Sequence, residues 1–277
     1  MEIINLAEKQ MNGGTDCNVL SGPFFREYFR SFNSNANFEQ DTTQLMRLYT
    51  LQDVSETISF LESMAEEVLY RINDVLNRDA DFDIIVFFGD CSYDGHGILI
   101  DKQPYVFFDL NAIIPRLDFY NFNAFITHEM LHALHYSLNP DFYRGNFRAV
   151  EERYLKLLLS EGIATHLSYV ISEEKIEDTY WFGYLKSEHV WDWVKNCETM
   201  KADTGADLHR AIDAGKLDNT LYNRLFGIED FTKLTSYRTG YYYGAEIVKD
   251  FLADREDVNE VLTLDYSKAK DIIHDYF

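Results

Sequence analysis

His128, Glu129 and His132 stand in the order HExxH within the stretch 124–136. On an α-helix, residues four apart lie one above the other, so the two imidazoles can face a single ion while Glu129 sits about 100° further round. That spacing makes half a zinc site, because a catalytic zinc takes three protein ligands, imidazole nitrogen among them, and keeps one position for water. Glu129 is then placed to act as a base toward that water. His135 falls on nearly the same face, where it either lines a cleft, orients a ligand or is a satisfied core histidine.

A third ligand must come from elsewhere in the chain. A helical run over 147–171 carries Ser160-Glu161-Gly162-Ile163-Ala164 in its apolar middle. Burying an unpaired carboxylate is costly, and a metal ion would account for one there. Glu161 is the expected third ligand, the bland alternative being a glutamate on the solvated edge of the helix. Gly162 costs about 1 kcal/mol of helix propensity relative to alanine, and with Ala164 it predicts close packing of this helix on the HExxH helix. His166 lies about 140° round from Glu161 and is not expected to share the ion. A metzincin pattern would need glycine at 135 and histidine at 138, where the chain has His135 and Leu138. His96, between Gly95 and Gly97, reads as a turn residue rather than a ligand.

Several elements must position these residues. Asp118 is the expected cap of the HExxH helix, and Asn139-Pro140 its end. Apolar residues recurring at three and four predict a long amphipathic helix from Asp53 or Ser55 to Asn77, capped by Asp53. Asp83 to Phe88 reads as a buried strand, and 97–100 with 104–110 as a hairpin around the turn 101–103. One of these two hairpin strands could hold an extended substrate at an exposed edge. Residues 1 to about 50 read as short helices and loops, with Gly13-Gly14 and the Asn/Ser stretch 33–37 between aromatic clusters. Beyond Ile171 the chain reads as mostly helical, including 178–197. Near its end, Gly240 and Gly244 face one way around Tyr241, Tyr242 and Tyr243. One of those tyrosines could donate its hydroxyl to an oxyanion, or all three could simply pack.

The 46% hydrophobic share provides ample core material and excludes general disorder. A net charge of −22 argues against nucleic acid, which needs clustered Lys and Arg, and against an anionic membrane surface. It would suit cationic substrates, or merely solubility. The apolar runs are too short for a transmembrane segment. The N-terminus lacks a basic and an apolar region, and Cys17, Cys91 and Cys197 form no CxxC pair, so a cytoplasmic, reducing location is expected. The expected organisation is a single domain over 1–277, with an N-terminal extension (1–50), an upper lobe with sheet and HExxH helix (51–138) and a helical lower lobe (139–277).

The order His128-Glu129-x-x-His132, then Glu161-Gly162-x-Ala164, then Gly240-Tyr241-x-x-Gly244 resembles the gluzincin branch of the zincin metallopeptidases. It looks closest to bacterial predicted Zn-dependent proteases with HExxH, EGxA and GYxxG motifs, over roughly residues 54–254. The resemblance implies an α+β, mostly helical, zincin-like fold. In it a small sheet with a backing helix lies above the HExxH helix, and a helical C-terminal lobe supplies the glutamate. It implies Zn2+ on His128, His132 and Glu161, Glu129 as general base, Tyr241 as a catalytic hydroxyl, and a peptide or protein substrate. In thermolysin-like members an aspartate four residues after the ligand glutamate supports a zinc-binding histidine; here that place is Thr165. Two other functional readings are a zincin-fold binding or regulatory protein without activity, and a zinc hydrolase of non-peptide amides or esters.

Overall fold

A computed structural model describes residues 1–13, 17–32 and 38–277; Gly14 and the Asn/Ser stretch 33–37 lie outside them. The fold is mostly helical with one small sheet, and the chain divides into two compact units, Met1–Ser137 and Leu138–Phe277.

In the first unit the strands β1 (Ile3–Asn5), β2 (Asp83–Phe87), β3 (Gly95–Ile100) and β4 (Gln103–Asp109) form a four-stranded sheet in the order β1-β2-β4-β3. β1, where only short helices and loops are expected over 1–50, pairs in parallel with β2 although it is too short to show alternation. β3 and β4 form the expected antiparallel hairpin, closed by Asp101 and Lys102, both at positive φ, as a two-residue hairpin turn of matching twist requires. β4 lies between β2 and β3, so its backbone is already paired on both sides and only β3 remains as an edge of the pair considered for substrate.

Successive residues of β4 point to opposite faces of the sheet. Phe107 meets Tyr28 of helix α1 (Pro23–Phe32), ring centroids 5.3 Å apart, and Phe24 of the same helix meets Phe87 at 4.9 Å. Helix α2 (Leu51–Leu76) buries Val54, Leu61, Ala65, Val68, Ile72 and Leu76 along one stripe. Its cap is Thr50, whose hydroxyl accepts from the Asp53 N–H while Asp53 accepts from the Thr50 N–H. Asp53 is thus the reciprocal partner of the cap, three residues inside the helix, rather than the cap itself. Phe108, on the other face of β4, packs on Phe125 of helix α3 (Phe122–Leu138), ring centroids 5.7 Å apart. Arg71 of α2 hydrogen-bonds Asn123 at the start of α3.

The second unit is helical. Helix α4 (Val150–Ser172) opens with Glu152 accepting from the Arg148 and Ala149 N–H groups at 2.7 and 3.0 Å. The helix expected over 178–197 is interrupted: Ile176–Trp181 ends where Phe182 and Gly183 turn to positive φ, and α5 (Ser187–Asp213) begins afresh. Trp181 and Trp193 pack edge to face at 5.5 Å, and the Trp193 indole donates to the Tyr237 carbonyl at 2.7 Å. Helices α6 (Asn219–Phe226) and α7 (Thr239–Leu252) follow. Among the described residues no helix is long and apolar enough to cross a membrane.

Candidate metal centre

Asn121, not Asp118, starts the HExxH helix. Its side chain accepts from the Ala124 N–H and its carbonyl from the Phe125 N–H, both at 3.0 Å. The chain leaves the helix at Asn139-Pro140, as read. From Ala124 to Tyr136 every residue of α3 is buried, so the polar groups within it are held out of water.

His128 and His132 are each only 1% exposed, and their Nε2 atoms stand 3.1 Å apart. Two nitrogens each bound to a tetrahedral zinc at about 2.0–2.1 Å would be about 3.3 Å apart, so the pair already has nearly the separation that one ion imposes. Glu129 is buried next to them, 6% exposed. Burying a carboxylate beside two imidazoles is costly unless its charge is paired, and a cation held nearby would supply that pairing.

His96 enters the same cluster. It lies on β3 rather than in a turn, and its flanking glycines have a steric reason. A methyl group at Gly97 would overlap the backbone of Ala133, so α3 can close on the strand only because that side chain is absent, while one at Gly95 would meet first the Phe107 carbonyl and the Phe108 ring of β4. Buried His96 then reaches Glu129 with Nδ1 3.4 Å from Oε2, Tyr136 with Nε2 3.1 Å from the hydroxyl, and His132 with ring centroids 4.3 Å apart. His96, Glu129 and His132 offer ligand atoms all within 4.8 Å of one another, a His/Glu cluster capable of holding a metal ion. His135 is fully buried, and burial, followed by the nearby charge of His132, lowers its pKa to about 3.

In the second unit Glu161 is 5% exposed in the middle of α4, which overturns the alternative of a solvated helix edge. Gly162 does not serve the packing expected of it. The space for its side chain is filled by the backbone of Gly244 on α7, and a methyl on Gly244 would meet the Leu158 carbonyl, so the two glycines form a backbone-to-backbone crossing of α4 and α7. The EGxA and GYxxG patterns are two sides of that one joint. Tyr242 and Tyr243 are buried, their hydroxyls donating to Glu198 at 3.4 Å and to the Cys197 carbonyl at 2.8 Å. Tyr241 is only partly buried, and the Arg238 guanidinium lies 3.9 Å from the centre of its ring. Burial lowers the pKa of His166, and His189 is exposed beside Glu188 and Asp192.

A family model described as "Putative zinc dependent peptidase (DUF5700)" matches residues 22–255. The chain belongs to this family. The matched span of the DUF5700 family contains the whole His96, Glu129, His132 cluster, His128, Glu161 and Tyr241. No curated protein and no solved structure matches the chain.

Proposed function

We propose that this DUF5700 member is a zinc-dependent hydrolase of the gluzincin type that cleaves peptide bonds. The observation that carries the reading is the buried pair of Nε2 atoms 3.1 Å apart on one helix, with Glu129 between them in sequence. Zinc would be held by His128, His132 and Glu161, three buried residues of the donor types that zinc prefers. Bound there, it would supply a Lewis acid that brings water toward a pKa near 7 and polarises a carbonyl.

Glu129 takes the proton of the attacking water and passes it to the leaving amine, a role for which a buried carboxylate beside the ligands is placed. Tyr241 donates its phenolic hydrogen to the carbonyl oxygen as negative charge gathers there. The family description favours a peptide over another amide. The free thiols of Cys91 and Cys197 fit a reducing compartment and support a cytoplasmic location.

Zinc titration of the metal-free protein is expected to give about one equivalent, lost in His132→Ala/Glu161→Ala. Glu129→Gln is expected to keep that zinc and the fold while peptide hydrolysis falls by about two to four orders of magnitude. Wild-type turnover by Glu129→Gln would remove Glu129 as the base, and zinc retained by the double variant would remove the ligand set.

A further inference from the structure

A zinc-ligating imidazole needs a bare nitrogen toward the ion, and proteins fix that tautomer by giving the other ring N–H a hydrogen-bond acceptor. The hydroxyl of Thr165, four residues after Glu161, is buried and makes no hydrogen bond among the described residues. The acceptor for His132 lies instead within the first unit. The Tyr136 hydroxyl stands 3.4 Å from His132 Nδ1, at the long end of hydrogen-bonding range, with the two rings stacked at 5.6 Å. The same hydroxyl is 3.1 Å from His96 Nε2, and His96 Nδ1 faces Glu129 Oε2 at 3.4 Å, an ion-pair contact rather than a hydrogen bond.

We propose that Glu129, His96, Tyr136 and His132 form one directional relay that ties the general base to a metal ligand and fixes the tautomers of both histidines. The inference rests on the zinc reading above. The direction follows from the groups at its start. A carboxylate offers only lone pairs and negative charge, so its field favours the proton on the His96 nitrogen that faces it, and His96 Nε2 is left as an acceptor. The Tyr136 hydroxyl donates to that Nε2, which leaves the Tyr136 oxygen to accept from His132 Nδ1–H. His132 Nε2 is then bare and points at His128 Nε2, where the ion would sit. His96 and Tyr136 are thus positioning residues: one steadies the carboxylate of Glu129, the other sets which nitrogen of His132 is free. Gly97 acquires a purpose, because the close approach of α3 that it permits brings a strand histidine to the chain.

The test begins on wild-type protein without metal, labelled with ¹⁵N-histidine and examined by long-range proton–nitrogen correlation. Both His96 and His132 are expected as Nδ1–H tautomers, and an Nε2–H tautomer at His132 would overturn the relay. Zinc affinity, read by competition with a chromophoric chelator, is expected to fall about 10- to 100-fold in Tyr136→Phe, with the His132 tautomers becoming mixed. Unchanged affinity in that variant would overturn the proposal, as would a coordination shift on a His96 nitrogen when zinc is added, which would make His96 a ligand. Failure of the wild type to bind zinc would remove the function proposed above, while the tautomer spectrum of the metal-free protein still decides the relay.

Discussion

Tyr242 and Tyr243 have hydroxyls committed to Glu198 and to the Cys197 carbonyl, whereas Tyr241 keeps part of its surface toward solvent under the Arg238 guanidinium. A donor that serves a developing oxyanion must be reachable by substrate, which sets Tyr241 apart from its neighbours. Removing one such donor typically costs about 2.7 to 4 kcal/mol in the transition state, so Tyr241→Phe should lower kcat by about a hundredfold or more. Zinc content and KM should change little. Tyr242→Phe and Tyr243→Phe should each keep near-normal turnover while losing about 1 kcal/mol in urea unfolding, the usual net worth of a hydrogen bond. Equal loss of turnover in all three would mean that packing, not a donated proton, is being measured. At this scale the sequence was readable where geometry depends on local spacing: periodicity alone faces His128 and His132 together and puts Glu129 beside them, about 100° round. His96 was not readable, because its place depends on a strand pairing and a helix approach that no neighbouring residue announces. The signal that could have found it was the glycine on either side, which has no turn to explain it once the segment is a strand.

The crossing of α4 and α7 has no room for a side chain on either helix. Gly162→Ala and Gly244→Ala each force the methyl into backbone rather than into a movable side chain, so the usual overpacking cost of about 1–3 kcal/mol is a lower bound here. Each variant should show a lowered midpoint in thermal and urea unfolding; stability equal to wild type would mean that the helices slide apart without cost. The sequence marked Gly162 as a point of close approach but gave it the wrong partner, since a missing Cβ says that something comes near and not which element it is. A second test concerns the start of α4. Burial opposes the charge of Glu152, but Lys156 at 2.8 Å and the N–H groups of Arg148 and Ala149 more than offset it, lowering the pKa of Glu152 to about 2. A carboxyl whose folded pKa is depressed adds stability above its unfolded value near 4.5 and loses it as pH falls toward 2. The stability difference between wild type and Glu152→Gln should therefore be larger at pH 6, screened by solvent at this near-surface site, and shrink as pH falls from about 4.5 to about 2. A difference independent of pH in that window would assign it to packing around Lys156, which sits 4.5 Å from the centre of the Tyr266 ring.

Over the whole chain 47 acidic residues oppose 25 basic ones, a formal charge of −22. Composition alone made this legible and argued against nucleic acid as a partner, but it could not show whether the charge does more than keep the protein in solution. Its long-range field must repel anionic peptides and gather cationic ones, an effect on encounter and local concentration that leaves the chemical step untouched. Two peptides with the same cleaved bond, one flanked by Lys and one by Gln, separate the alternatives. At about 10 mM salt, where the screening length is about 30 Å, the Lys peptide should show a kcat/KM at least about tenfold higher than the Gln peptide, with similar kcat. At about 1 M salt screening acts within about 3 Å, and the ratio should approach one. A preference that survives at high salt would come from direct contacts within the site rather than from the field. No preference at low salt would leave the acidic surface with solubility as its role, because a field strong enough to matter for a substrate cannot be silent when it is least screened.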